Sequence, residues 1–376
     1  MYIDLHMNYL HIALTFIIVL FIYIHVQFQL TTSDEKDVYV LNDVVYIPME
    51  EVFDLKQPVV FHTFFPENYD MLRAVNKHMI HNDYKNKDIQ ICDTTRTTYH
   101  TNVPSSFQSA ISLFDKDVDS RYYTSNNDNF VKTCLSDTNS TNQTATNLRL
   151  LKKHHSILVP PLKSREKYDI IFGSDNTTTI LQYSIMYRNF FTVTNGTLEI
   201  KMIHPSKVSD LTVNVKPDYY NMGFFTEPQV NVWDDNNKDK LETITTVVHE
   251  GQTICIPPYW LYSFKLIKDT FVWCASYNTY MTEMATLHHN MLHTMHKFTK
   301  PSVIIPDVLD KSETPAETPD TSNLNEDEDE DEDESNKEDI NTDADENIDT
   351  ETPSKLIEQK ESVELIESNN QTDSDK

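Results

Sequence analysis

A chain of 376 residues has room for one large domain with appendages, or for two domains. Its net charge of −28 is unevenly placed: Val303 to Lys376 holds 27 acidic and 5 basic residues, leaving 32 acidic and 26 basic before it. That near balance offers no basic face for nucleic acid, and four glycines (Gly173, Gly196, Gly223, Gly251) cannot build a GxGxxG turn or a P-loop, which excludes nucleotide chemistry on those scaffolds.

Leu5 to Ser33 contains no Lys, Arg, Asp or Glu. About 20 apolar residues cross a hydrocarbon core of roughly 30 Å, so a short N-terminus (1–8) and a spanning helix over 9–30 are predicted. A cleaved signal peptide would want a basic leader and a small-residue exit. No Lys or Arg precedes Lys36, and the exit reads Gln27-Phe28-Gln29-Leu30. The sequence therefore favours a retained single-pass anchor, with the lipid bilayer as its partner. Tyr9, His11, Tyr23 and His25 near its ends suit the interface.

Residues 38–300 read as one globular region. Strands are predicted at Val44–Pro48, Gln57–His62 and Ile89–Asp93. Tyr69, Met71, Leu72, Val75 and Met79 have helical spacing over 68–81. A second helix is expected over Ser105–Phe114, with Ser106 as cap. Asp137 to Asn147 reads as a polar loop, and its N-x-S/T patterns at Asn139 and Asn142, like those at Asn176 and Asn195, would be glycosylated only in a lumen. Ile180 to Ile203 contains two strand-like runs divided by Thr194-Asn195-Gly196, a hairpin signal. Strands at Thr243–Val248, Thr253–Pro257, Tyr262–Leu266 and Phe271–Tyr277 continue a mainly β pattern. A helix over Tyr280–Phe298 places Met281, Met284, Leu287, Met291, Leu292 and Met295 roughly on one face.

Beyond Pro301 the aromatics disappear, and Glu326 to Glu334 is an unbroken acidic run. Such composition cannot bury enough surface to offset its ordering entropy, so 303–376 is expected to be a disordered tail. The acidic run could bind a basic protein partner, or Ca²⁺ loosely, and a solvated, self-repelling tail is the plainer reading. Leu356 to Ile366 is its one amphipathic island.

Candidate chemistry is sparse. Cys92, Cys134, Cys255 and Cys274 show no CxxC spacing and read as free thiols. His289 and His293, at i and i+4, could share a zinc ion, but no glutamate makes an HExxH, and a solvated helix face with His288 and His296 is the plainer reading. His204 and His249 read as structural. No G-x-S-x-G elbow supports a serine triad.

Three segments carry a resemblance over Gln57 to Tyr280. They are Gln57-Pro-Val-Val-Phe61 with Arg121-Tyr-Tyr123, then Tyr183 to Gly196 around Tyr187-Arg-Asn-Phe-Phe191, and Gly251 to Phe264 around Ile256-Pro-Pro-Tyr-Trp260. Together they resemble the cupin-like, JmjC-related domain of iron/2-oxoglutarate hydroxylases and of many proteins of large DNA viruses. The resemblance implies a double-stranded β-helix with flanking helices. Counted back from Gly196, the family's H-x-D/E ligands fall on Tyr183 and Ile185. The third ligand, counted from Gly251, falls on Tyr262. The lysine that some members use to grip 2-oxoglutarate falls on Leu198, and Asn189 stands where the family often has asparagine.

A facial Fe(II) site needs two imidazoles and a carboxylate. Isoleucine has no lone pair, and a phenol with pKa near 10 stays mostly protonated at neutral pH. No metal and no cofactor are expected, and strand alternation would point Tyr183, Ile185, Tyr187, Asn189, Phe191 and Val193 into an apolar interior. The expectation is a membrane-anchored, catalytically inactive cupin-like protein of viral type with a structural or interaction role. The alternatives are an oxygenase with an unorthodox ligand set, or a barrel that keeps a ligand cavity without catalysis.

Overall fold

The computed structural model describes residues 2–41, 49–62, 72–95, 102–138, 142–210, 214–219, 222–227, 229–234 and 241–298. The strand expected at 44–48, the start of the helix expected at 68–81, Asn139 and the tail expected over 303–376 lie outside the described residues.

The chain opens with helix α1 (Tyr2–Leu30), strand β1 (Tyr39–Leu41), helix α2 (Met49–Asp54) and strand β2 (Val59–His62). A helix-rich stretch follows: α3 (Lys77–Tyr84), β3 (Asp88–Asp93), β4 (Val103–Ser106), α4 (Phe107–Lys116), β5 (Tyr122–Thr124), α5 (Asp128–Ser136) and α6 (Gln143–His154). Strands then dominate: β6 (Lys163–Ile171), β7 (Gln182–Tyr183), β8 (Arg188–Ile203), β9 (Asn214–Asp218), β10 (Gly223–Glu227), β11 (Ile244–His249), β12 (Gln252–Ile256) and β13 (Leu261–Thr279). Two helices, α7 (Tyr280–Ala285) and α8 (Leu287–Phe298), close the described part.

Strands β8 and β13 are antiparallel along most of their length, from Leu261 opposite Ile203 to Tyr277 opposite Arg188. Their register slips between Ile267 and Val272, facing Gly196, whose φ is 78°. A Cβ at Gly196 would stand 2.8 Å from Thr270 Cα, so only glycine lets the two backbones meet at this corner. The hairpin signal at Asn195-Gly196 is thus a corner inside one continuous strand. Its two flanks pair with β13 and not with each other.

The corner divides β8 and β13 into halves that belong to two rows. In the first, β6, the later half of β13, the earlier half of β8 and β12 are neighbours. In the second, the segment 178–183 with β7, the earlier half of β13, the later half of β8 and β11 are neighbours. Strands β2 and β1 extend the first row beyond β12, β1 and β2 being parallel. Strands β10 and β9 extend the second beyond β7. The result is a large mixed sheet, and the protein is mainly β, as expected.

Alternation along β8 sends successive side chains to different cores. Phe191 and Val193 join Leu198, Ile200, Met202, Tyr262 and Phe264 in a cluster drawn from both rows. The ring of Phe191 meets those of Phe264 at 4.8 Å and Tyr262 at 5.4 Å. Phe190 instead joins Trp273, Tyr277 and Tyr168 in a cluster with Ile80, Phe107, Val131, Leu148 and Leu151, so α3 to α6 cover the other face of the first row.

Several local expectations change. Asn76 caps α3 by accepting from the Met79 N–H at 3.0 Å, and this breaks the helix expected through 68–81. Helix α6 occupies the later part of the expected polar loop. Asn142 caps it, accepting from the Ala145 N–H, and Ala145, Leu148 and Leu151 are buried. The helix expected over 280–298 is interrupted at Thr286, whose hydroxyl bonds back to the Thr282 carbonyl at 2.7 Å. Ser106 caps α4 as expected.

Helix α1 is long and apolar enough over Tyr9–Leu30 (22 residues, mean hydropathy 2.2) to cross a membrane. Its end is tied to the β domain. The buried Lys56 ammonium donates to the carbonyls of Phe28 and Thr31 and lies 4.1 Å over the Phe28 ring. A cation there suits the negative end of the helix dipole. Thr282 donates to Gln29 at 2.9 Å, and His204 bonds the Ser33 carbonyl at 2.7 Å.

Phe191 is the ring that links the rows. Phe191→Ala should cost about 3–5 kcal/mol, the usual range for a buried aromatic truncated to alanine. Urea titration of the purified chain measures this, and Phe191→Leu should lose clearly less.

Candidate functional site

At one end of the space between the rows, β6, β7, β8 and β13 border a cavity of about 450 Å³. Register builds its wall. Lys167, Ser276 and Asn189 stand side by side across β6, β13 and β8, and Asp169, Cys274 and Phe191 form the next such line. From the second row, Gln182 stands opposite Tyr262 and so shares its face.

The polar groups of the wall are engaged. Ser276 donates to Asn189 Oδ1 at 3.0 Å, and the Asn189 amide donates to the carbonyls of Met186 and Ile256. Lys167 donates to Asn126 Oδ1 at 3.0 Å. The Asp169 carboxylate accepts three backbone N–H bonds, from Asn126, Asn127 and Ile170, at 2.7–2.8 Å. Burial nevertheless outweighs those bonds and the Lys167 charge, and raises its proton affinity above the usual carboxylate range. Burial also raises the Tyr262 phenol and pushes the Cys274 thiol well up, so both stay protonated at neutral pH.

The four residues singled out from the sequence are not gathered on one face. Tyr262 and Leu198 belong to the cluster between the rows. Tyr183 departs from the expected alternation: Gln182 pairs with Tyr262, so Tyr183 leaves β7 on the opposite face. Tyr183 contributes to the cavity lining, yet its ring stacks on Phe224 at 4.8 Å and packs with the separate group of Leu181, Ile203 and Leu261. Ile185 is buried in the turn between β7 and β8, where the Ser184 carbonyl accepts from the Tyr259 N–H at 3.0 Å. That turn interrupts the strand expected from Tyr183 to Val193.

An iron centre does not fit these side chains. The inward positions offer an amide at Gln182 and a protonated phenol at Tyr262, where a facial triad wants imidazoles and a carboxylate. Leu198 supplies no cation for an acidic co-substrate. Among the described residues no group of three His, Cys, Asp or Glu is placed to hold a metal ion. The four cysteines are free.

Two histidines of α8 depart from expectation, His293 being buried and His289 half-buried against the domain, while His288 and His296 are exposed as expected. His293 Nδ1 bonds the Tyr219 carbonyl, His289 lies 3.3 Å from the Tyr219 hydroxyl and edge-on to Phe224, and His296 stacks on Tyr219. Burial, helped by His288, holds His289 below the ordinary imidazole range. His204 is structural, bonded to Ser206 and Ser33 and edge-on to Trp260.

Asp169, Lys167 and Ser276 had no sequence signal of their own. The one available hint was a lone acid between aromatic and β-branched neighbours, Tyr168-Asp169-Ile170-Ile171. No model of a known protein family matches the chain, and no curated protein matches it.

Glu166, at the cavity rim, gives a pH test. Burial works against its charge, but the Lys163 and Lys152 ammoniums hold it down to about 2, from an ordinary 4.5. A depressed carboxylate stabilises above its unfolded value and loses that contribution as pH falls through its folded one. Glu166→Gln should therefore lower the melting temperature at neutral pH, and the gap should close as pH falls from about 4.5 toward about 2.

Proposed function

We propose that this protein is a membrane-anchored, catalytically inactive member of the cupin-like, JmjC-related class found in large DNA viruses, with a structural or interaction role. One observation carries the reading. Tyr262, the position to which the resemblance assigns the third metal ligand, packs ring against ring with Phe191 and Phe264, with centroids 4.8–5.4 Å apart. The cupin-like assignment draws support from the two rows of four strands that share β8 and β13.

Helix α1 serves as a retained anchor on this reading. Its support is the tie between its last turn and Lys56 and Thr282, whose bonds to the Phe28 carbonyl and to Gln29 would be lost on cleavage near Thr31. The acidic 303–376 segment would recruit a basic protein by salt-sensitive attraction, with a screening length of about 8 Å at physiological ionic strength. The polar wall around Asn189, Ser276 and Lys167 favours a second reading, in which the cavity holds a small polar ligand without turnover.

The test uses the full chain in detergent. Metal analysis should find no stoichiometric iron, and added iron with 2-oxoglutarate should yield no succinate. Iron-dependent succinate production would sink the proposal. Sequencing of the mature N-terminus should find α1 present, and a start near Thr31 would replace the anchor by a signal peptide.

A further inference from the structure

Helix α8 is amphipathic the wrong way round for a helix packed on a core. Its inner seam, continued from α7, is polar: Thr282, Thr286, His289, Asn290 and His293. These bond to the domain, Arg165 donating to Asn290 at 2.9 Å and His293 meeting the Tyr219 carbonyl. Its outer face carries an apolar stripe, flanked by the exposed His288 and Thr294. Leu287 is 57%, Met291 58%, Met295 62% and Phe298 83% exposed. At 100° per residue these four fall within about 80° of one another, and Met284 of α7, also exposed, leads into them. The sequence pattern alone points that stripe at the core, and the structure turns it outward.

The stripe begins beside α1. Gln29 of α1 accepts from Thr282 of α7, and Leu30, Thr32, Ala285, Thr286 and His289 border one open cleft. If Tyr9–Leu30 crosses a bilayer, its 22 residues span about 33 Å. Its last turn then lies at the boundary between acyl chains and headgroups, and α8 starts at that level.

We infer that α8 is an interfacial membrane helix. Its Leu287–Met291–Met295–Phe298 face lies in the headgroup and acyl boundary of the leaflet from which α1 emerges. The partner is the lipid surface, and the contact fixes the β domain's orientation against the bilayer. An apolar face about 18 Å long suits such shallow burial. This rests on the anchor reading of α1.

The experiment places an environment-sensitive nitrobenzoxadiazole label on single added cysteines in the full chain, reconstituted into phosphatidylcholine vesicles. The positions are Met291→Cys and Met295→Cys on the stripe, Phe16→Cys within α1, and Val118→Cys, a 93% exposed control. The unsubstituted chain gives the labelling background of the native cysteines. Lipids brominated near the headgroup should quench the 291 and 295 labels about twofold more than the 118 label. Lipids brominated deep in the chain should quench the label at 16. Deep quenching at 16 with labels at 291 and 295 no more quenched than at 118 overturns the inference and leaves the anchor standing. Thiol cross-linking between copies of the Met291→Cys variant, without lipid quenching, would give the face to a second copy, and also overturns it. No quenching at position 16 removes the anchor and the inference together.

Discussion

The ladder between β8 and β13 is the constraint on which the other elements depend. Both strands use both edges. The outer edge of β13 takes β6 and then β7, and the outer edge of β8 takes β12 and β11. Because every partner is far away in sequence, pairing must close long loops before any contact stabilises it, which favours slow folding. The Gly196 corner lets one ribbon serve two rows. Without it the rows could not share their strands, and the Phe191 ring would not meet Tyr262 and Phe264.

Desolvation governs the buried polar groups, and its outcome differs from site to site. Arg188 is 2% exposed, yet it keeps its charge, because Glu50 meets it bidentately, Asp54 stands 3.5 Å away and the Phe53 ring lies alongside. That group ties α2 to the start of β8. Lys56 is less well compensated: burial pulls its ammonium down to about 8 although Asp54 works the other way. Asp169 has three N–H bonds and a nearby lysine, and burial still wins. The cavity lining therefore mixes polar groups with charged ones of both signs, Asp128, Lys132, Arg165, Glu166, Lys167 and Asp169 among them.

The two ends of the described chain converge. The last turn of α1 and the first of α7 meet at Gln29 and Thr282, while Lys56 caps the helix that carries the apolar span. An exposed apolar stripe on α8 begins at the same place. The cavity is bordered by β6, β7, β8 and β13, and His293 on the inner side of α8 also lines it.

Much was legible from residue order alone. The apolar span of α1 follows from composition, the Ser106 cap from its chemistry, and β2, β3, β11 and β12 from short runs rich in β-branched residues. Each depends on neighbours within one or two turns or strands. The tertiary structure alone decided that Asn195-Gly196 is a corner, that Gln182 and not Tyr183 shares the face of Tyr262, and that α8 turns His289 and His293 inward. Residue order gives the period of a pattern but not its phase. Phase is set by the strand or helix that arrives from elsewhere: β13 beside β8 fixed the corner and the register, and Tyr219 with Arg165 offered α8 bonds that its polar face could satisfy and its apolar face could not.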